Sequence, residues 1–142
     1  MDTTVVVDAS VWVSRLIDHD VNHDASLLWI ERYIAEGGFL VAPALILVEV
    51  AAAISRQMGE IDLAKETARN LDSASEMHIV PLDNALVQAA VEVAADLQLR
   101  AGDAIYVAVA QQLNIPLVSW DREQLDRAGS LITTYTPSTY VF

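Results

Sequence analysis

The feature that most constrains the fold is an apolar run near the N-terminus that ends in a single carboxylate. Val5, Val6 and Val7 are three consecutive β-branched residues without polar alternation, which is typical of a strand buried on both faces. Asp8 breaks the run, and a helical pattern follows at once. In open α/β sheets, ligands bind at the carboxyl ends of the strands. The sequence therefore predicts a central parallel strand whose end presents Asp8 to a binding site.

Size and composition indicate one compact domain. The 142 residues are 54% hydrophobic, with five glycines and four prolines, which suffices for one core. We predict a single domain over residues 1–142. The sequence has no cysteine, which excludes disulfides and thiolate metal sites, and it shows neither a secretory leader nor a membrane span. We therefore expect a cytoplasmic protein.

Strand patterns alternate with helical patterns along the chain. This order predicts a three-layer α/β/α sandwich around a mainly parallel sheet. Asp24 is a candidate N-cap for the second helix, and Pro43 suits the first turn of the third. The predicted strands are 4–8, 39–42, 79–82, 115–119 and 131–135, and the predicted helices are 10–17, 25–36, 43–58, 61–74, 85–97, 104–113 and 121–128.

The charge balance is strongly acidic. The chain has 20 acidic and 8 basic residues, a net charge of −12, and Lys65 is its single lysine. Such a surface repels nucleic acid at long range. A nucleic-acid substrate would therefore have to be held locally, by a metal ion or by arginines, of which Arg15, Arg56 and Arg100 are the nearest candidates.

Four acids stand out by their apolar surroundings or by following a predicted strand: Asp8, Glu49, Asp103 and Asp121. An isolated buried carboxylate is costly, and a parallel sheet would bring these four to one edge. Two carboxylates about 4 Å apart repel by roughly 4 kcal/mol at an effective dielectric constant near 20. Such a cluster requires cations or protons, and oxygen ligands alone favour Mg²⁺ or Mn²⁺ over Zn²⁺.

Each acid also has an ordinary structural interpretation. Asp8, Asp103 and Asp121 could be helix N-caps, and the sequence from Asp121 to Gln124 matches a capping box. Glu49 could face solvent on an amphipathic helix. Capping does not exclude metal binding, so both interpretations remain open at this point.

Taken together, the segments that carry the acids resemble the PIN domain family, and within it the VapC-type toxin ribonucleases of prokaryotic toxin–antitoxin pairs. The resemblance implies that Asp8, Glu49, Asp103 and Asp121 are the catalytic and metal-binding acids, supported by Ser10 and Ser119. Gly102 and Trp120 are less typical of the family. The matching segments, in the family's order, are VVVDAS (5–10), LVEV (47–50), LRAGDAIYVAVA (99–110) and PLVSWD (116–121).

The resemblance also implies an activity and partners. We expect an Mg²⁺- or Mn²⁺-dependent endoribonuclease that hydrolyses RNA phosphodiester bonds, with a small cognate antitoxin protein as partner. We also expect a homodimer, since Ala104, Ala108 and Ala110 would permit close helix approach. Tyr106 is predicted to serve core or dimer packing. The alternative is a non-catalytic PIN-like binding or scaffold module.

Three other α/β classes with an acid after the first strand fail on single residues. A haloacid-dehalogenase-type phosphatase needs a second Asp where Ser10 stands. An integrin-like metal-adhesion site needs a serine where Trp12 stands. A response-regulator receiver needs a late lysine, and Lys65 lies too early.

Overall fold

The computed structural model describes residues 3–142, and within that range five strands alternate with seven helices. All five strands are parallel, in the spatial order β3-β2-β1-β4-β5. The α/β prediction with a parallel sheet is confirmed. The elements in chain order are β1 (Thr4–Val7), α1 (Ala9–Leu16), α2 (His23–Ala35), β2 (Phe39–Pro43), α3 (Leu45–Met58), α4 (Ile61–Ser73), β3 (Met77–Val80), α5 (Asn84–Leu97), α6 (Ala101–Leu113), β4 (Leu117–Val118), α7 (Arg122–Ala128) and β5 (Thr134–Tyr135).

The strand order contains one reversal, and it lies beside β1. The chain moves outward from β1 to β2 and β3, then crosses back to place β4 on the other side of β1. Right-handed crossovers place α1 to α4 on one face of such a sheet and α5 to α7 on the other. The carboxyl ends of β1 and β4 therefore border the crevice at the reversal, where open sheets bind ligands.

The centre of the core is β1 itself. Val5, Val6 and Val7 are fully buried, as their uninterrupted apolar run predicts, because both faces of the strand are covered by helices. The small residues of α6 lie equally deep: Ala104, Ala108 and Ala110 are 0% exposed within the single chain. These alanines are thus core residues, and the homodimer prediction cannot be based on them.

The boundaries around β2 and β3 differ from the prediction. Pro43 is the last residue of β2, paired in register with Val80, and α3 begins two residues later. The predicted strand at 79–82 lies instead at Met77–Val80. Pro81 follows, and since proline has no N–H to donate to a ladder, the strand ends there.

Helix starts also differ, and one difference concerns a site residue. Helix α2 begins after Asn22, so Asp24 lies in its first turn and does not cap it. Helix α6 begins at Ala101, three residues before its predicted start at 104, and its N-cap is Arg100. Asp103 therefore lies in the first turn of α6, and its alternative role as an N-cap is excluded. The strands β4 and β5 are shorter than predicted, with two residues each.

Among residues 3–142, none of the helices combines the length and the apolarity that crossing a membrane would require.

Helix α5 ends in a backbone conformation that its residue does not favour. Gln98 has φ of +54°, in the left-handed region, and its side chain is exposed. We expect Gln98→Gly to raise the free energy of unfolding by about 0.5–1 kcal/mol, because glycine adopts this region without a Cβ penalty. Gly59 is the matched control. It ends α3 at φ of +68°, and a Cβ added there would meet nothing within 4 Å, so Gly59→Ala should lower stability by about 1 kcal/mol through the backbone alone. Urea unfolding measures both.

Candidate functional site

Asp8 stands at the carboxyl end of β1 and is 7% exposed. It is the N-cap of α1, where its Oδ2 accepts hydrogen bonds from the Ser10 backbone N–H at 3.2 Å and the Ser119 hydroxyl at 3.0 Å. Burial raises the pKa of the Asp8 carboxyl. The hydrogen bonds from the two serines oppose the shift, and the charge of Asp121 adds to it. The N-cap role that the sequence left open for Asp8 is thus present, and it does not relieve the cost of burying this acid.

Ser10 and Ser119 join the ends of β1 and β4. The Ser119 hydroxyl is buried, accepts the Asp121 backbone N–H at 2.9 Å, and lies 3.3 Å from the Ser10 hydroxyl. The Ser10 oxygen in turn accepts the Trp120 backbone N–H at 3.0 Å. These contacts hold the turn after β4 against the start of α1, and both serines lie beside Asp8 as predicted.

Asp121 is the N-cap of α7, and it is bound there by Gln124, a residue that the sequence did not indicate as functional. Its Oδ1 accepts the Gln124 backbone N–H at 3.2 Å, as a capping box predicts. The Gln124 side chain does not complete the box. It is 0% exposed, its Oε1 lies 3.0 Å from the Ser119 hydroxyl, and its Nε2 donates to the Asp103 carbonyl oxygen at 3.3 Å. Gln124 therefore ties α6, α7 and the end of β4 together.

Glu49 reaches the same edge from α3. Its Oε1 accepts a 2.7 Å hydrogen bond from the hydroxyl of Tyr106, a residue 1% exposed. Burial raises the pKa of Glu49; the Tyr106 hydrogen bond opposes this shift, and the charges of Asp8 and Asp103 add to it. Tyr106 was predicted to serve core or dimer packing. Its ring does lie in the core, and its hydroxyl in addition positions a site carboxylate.

Asp103 completes the set from the first turn of α6, with a side chain 22% exposed. Burial, together with the charges of Asp121 and Asp8, raises its pKa from 3.8 to about 6. Arg100 opposes the shift weakly: its Nε lies 3.9 Å from Asp103 Oδ2, and its side chain is 75% exposed. The pKa values of Asp8, Glu49 and Asp103 are thus each raised by burial and by the charge of at least one other predicted acid.

The acids lie within electrostatic reach of one another, but they do not form a closed ligand set as they stand. Among residues 3–142, no group of three or more His, Cys, Asp or Glu side chains is arranged so that it could hold a metal ion. The kind of donor nevertheless fits a hard divalent cation, since all four groups offer carboxylate oxygens and no nitrogen or sulfur.

A cleft of about 530 Å³ continues from the site along α3. It is lined by Glu49, Ala52, Ala53, Arg56 and Gln57, so one acid of the set and one arginine share this cleft. Of the other two arginines singled out in the sequence, Arg100 reaches both Asp103 and Glu123, and Arg15 stacks on the ring of Trp12 at 5.0 Å.

The family model described as the PIN domain matches residues 5–130. The chain belongs to the PIN domain family. The match spans β1 to α7 and includes all six predicted site residues, so the resemblance seen in the sequence is confirmed at the level of the family. No curated protein matches this PIN domain by sequence.

Solved structures share the fold over nearly the whole chain. VapC20 from Mycobacterium tuberculosis, a toxin that cleaves the sarcin-ricin loop, superposes with a TM-score of 0.73 at 18% identity, covering 91% of this chain and 96% of that one. A chain of VapBC2 from Rickettsia felis, bound to a DNA fragment from its promoter, gives 0.70 at 14%, covering 94% and 98%. PAE2754 from Pyrobaculum aerophilum gives 0.63 at 21%, covering 96% and 91%. At these identities the likeness establishes the fold.

Proposed function

We propose that this PIN domain is an Mg²⁺- or Mn²⁺-dependent endoribonuclease, acting in the cytoplasm as the toxin of a VapBC-type toxin–antitoxin pair. One observation carries the proposal: Ser119 joins Asp8 to the Asp121 backbone at the carboxyl ends of β1 and β4, and Glu49 and Asp103 lie close enough that the charges of these acids raise the pKa values of one another. Such a concentration of negative charge has to be compensated by bound cations or by protons, and a divalent cation does so while all four carboxylates stay charged.

The proposed roles follow from the positions of the side chains. Asp8, Asp103 and Asp121 would hold the ion, and Ser10 and Ser119 would keep Asp8 and the β4 turn in place. Tyr106 binds Oε1 of Glu49, which leaves Oε2 to face the ion or to take a proton from the attacking water. A bound divalent ion supplies the charge that lowers the pKa of that water and stabilises the transition state of phosphodiester hydrolysis. Because the acids do not converge as they stand, the proposal requires side-chain rotations on binding.

RNA would have to approach a chain whose net charge is −12. The cleft beside Glu49 offers a local solution, since Arg56 lines it and a guanidinium can pair with a phosphate. Arg100, whose Nε lies 3.9 Å from Asp103 Oδ2, is 75% exposed and able to turn towards a backbone phosphate. Both arginines flank the acids, which fits an RNA strand laid across the ion.

The partner proposals have surfaces on the same chain. A second cleft, of about 620 Å³ between α3 and α4, combines the exposed apolar residues Val48 and Ile61 with the cations Lys65 and Arg69. This chemistry suits an acidic amphipathic segment of an antitoxin, and solved structures of the same fold include VapBC complexes.

For the homodimer, Val87 and Val91 present exposed apolar area on α5 beside α6, and light scattering would give the mass.

The test of the activity is an end-mapped digest of total cellular RNA. We expect discrete new 5′ ends in the presence of Mg²⁺ or Mn²⁺, and none when EDTA is in excess. Cleavage that continues at the same positions under EDTA would exclude a metal-dependent reaction and with it the proposed mechanism.

The second candidate is a non-catalytic PIN-like scaffold, and one observation favours it: the absence of a ready ligand set among the described residues. A titration with Mn²⁺ separates the two functions. A scaffold should bind no Mn²⁺, whereas the proposed nuclease should bind it at the acidic edge.

Tyr106→Phe tests how Glu49 contributes. The ring and its packing are kept, but the Glu49 carboxylate loses a hydrogen bond that favours its charged form. We therefore expect the pKa of Glu49 to rise and the cleavage rate at pH 7 to fall by about tenfold, which corresponds to roughly 1.5 kcal/mol for a hydrogen bond to a charged group. Rates measured from pH 6 to 9 check this, since the loss should shrink as the pH rises. A loss that is the same at every pH would contradict the assignment.

A further inference from the structure

Two serines outside the acidic edge form a buried pair between α1 and α2. Ser14 is 2% exposed and Ser26 is 0% exposed, and their hydroxyl oxygens are 2.6 Å apart. The Ser14 hydroxyl donates to the Val11 carbonyl oxygen at 2.9 Å. Because a hydroxyl has a single proton, Ser14 must accept from Ser26, and Ser26 is left with an oxygen that can only accept.

That oxygen receives the indole of Trp120. The Trp120 Nε1–H donates to the Ser26 hydroxyl at 2.7 Å, so the direction of the whole chain is fixed: Trp120 to Ser26, Ser26 to Ser14, Ser14 to Val11. No proton in this chain is left over. A buried polar chain in which every donor is used favours one arrangement over all others, since any alternative leaves a group unpaired.

Trp120 lies between two residues of the proposed site. Its neighbours in sequence are Ser119, whose hydroxyl contacts Asp8, and Asp121, whose backbone N–H donates to that same hydroxyl. The Trp120 backbone N–H donates to Ser10. Trp120 is therefore bound to α1 through its backbone N–H and to α2 through its indole N–H. Of these hydrogen bonds, the one from the indole connects the turn after β4 to α2.

We propose that Ser26 is a positioning residue for the cation site: by holding the indole of Trp120, it fixes the turn that sets Ser119 and Asp121 against Asp8. This inference rests on the proposed function for its consequence, a site that binds Mn²⁺, but not for the arrangement of the turn.

The test compares Ser26→Ala, Trp120→Phe and the double variant. The readouts are the Kd for Mn²⁺ from calorimetry and the exchange of three protons followed by NMR: the Trp120 indole N–H and the backbone N–H groups of Trp120 and Asp121. Trp29→Phe is the matched control. Trp29 is buried, and its Nε1 has no hydrogen-bond partner in the part of the chain that the structure describes, so this variant changes the same atoms without removing a hydrogen bond.

We expect Ser26→Ala and Trp120→Phe each to raise the Kd for Mn²⁺ by about tenfold, the low end for groups that orient metal ligands. Ser26→Ala should also speed exchange of all three protons. The double variant should bind Mn²⁺ no worse than either single variant, because both remove the same hydrogen bond. Trp29→Phe should leave the Kd and the exchange rates as in the wild type, even where it lowers the Tm.

Wild-type Kd and exchange rates in Ser26→Ala would overturn the inference and leave the proposed function intact. If the wild-type protein binds no Mn²⁺, the proposed metal-dependent function is contradicted instead. In that case the exchange rates alone decide, and unchanged protection of the Asp121 amide in Ser26→Ala would refute the positioning role.

Discussion

Asp8→Asn is expected to abolish ion-dependent RNA cleavage while leaving the protein folded. A divalent ion contributes several kcal/mol of charge stabilisation to the transition state, and each 1.4 kcal/mol is tenfold in rate, so the loss should be at least about a thousandfold. The stability of the fold should not decrease, because asparagine is as good an N-cap as aspartate. The substitution also removes a buried carboxyl group whose pKa is raised by burial. The rate on a labelled RNA and the midpoint of urea unfolding measure the two effects.

Asp83→Asn is the matched control for this variant. Asp83 is also an N-cap, of α5, and its Oδ1 accepts the Leu86 backbone N–H at 2.9 Å, but it is exposed and is not one of the acids of the site. The same change of atoms should therefore leave the cleavage rate unchanged. Equal cleavage by wild type and Asp8→Asn would indicate a contaminating nuclease and remove the basis for the assignment.

The second large effect is on stability. Adding Mn²⁺ at 100 times its Kd should raise the free energy of unfolding by about 2.7 kcal/mol, because the ion binds the folded state alone. For a chain of this size that corresponds to a rise in Tm of roughly 8 °C. Differential scanning calorimetry with and without Mn²⁺ measures it, and Asp8→Asn should show little of the rise. An equal rise in both proteins would place the binding elsewhere on the acidic surface.

Without added divalent ion, the free energy of unfolding should fall as the pH rises from about 4 to 6. An acid paired with a cation would have the opposite effect. The pKa of Asp103 is about 6 in the folded chain and 3.8 as its ordinary value, so the folded state binds the proton more tightly. The stabilisation of the folded state by the protonated Asp103 carboxyl is therefore fully present below about pH 4 and is lost as the pH rises through 6. Asp8 and Glu49 are shifted in the same direction. Saturating Mn²⁺ should reverse the trend between pH 5 and 7, because protons compete with the ion. Urea unfolding across this range tests the sign.

The sequence was sufficient for the parts of this site that depend on a strand and the residue after it. Val5, Val6 and Val7 could be placed in a central strand because their apolar run has no polar alternation, and Asp8 then follows at its carboxyl end. Asp121 could be placed because it follows the apolar stretch of β4. Parallel strands end at the same edge, so the sheet alone brings these two acids near each other.

Other parts depend on packing between helices, which the local pattern does not encode. Gln124 matched a capping box, but its buried side chain binds Ser119 and the Asp103 carbonyl because the fold places the first turns of α6 and α7 side by side. Tyr106 has the apolar neighbours of a core residue, and nothing in its local pattern indicates that its hydroxyl meets Glu49 of α3. The bounds of β3 were predicted two residues too late, at 79–82 instead of Met77–Val80, because His78 interrupts the apolar run and only its pairing with Val41 of β2 places it in the strand.

The central claim is that one divalent ion is shared by Asp8, which follows β1, Asp103 in α6, and Asp121, which precedes α7. Anomalous diffraction from crystals grown with Mn²⁺ tests it most directly. We predict a peak about 2.0–2.2 Å from a carboxylate oxygen of Asp8, with Asp103 and Asp121 turned towards it. A map with no peak at this edge, or with peaks only at other acidic residues, would contradict it.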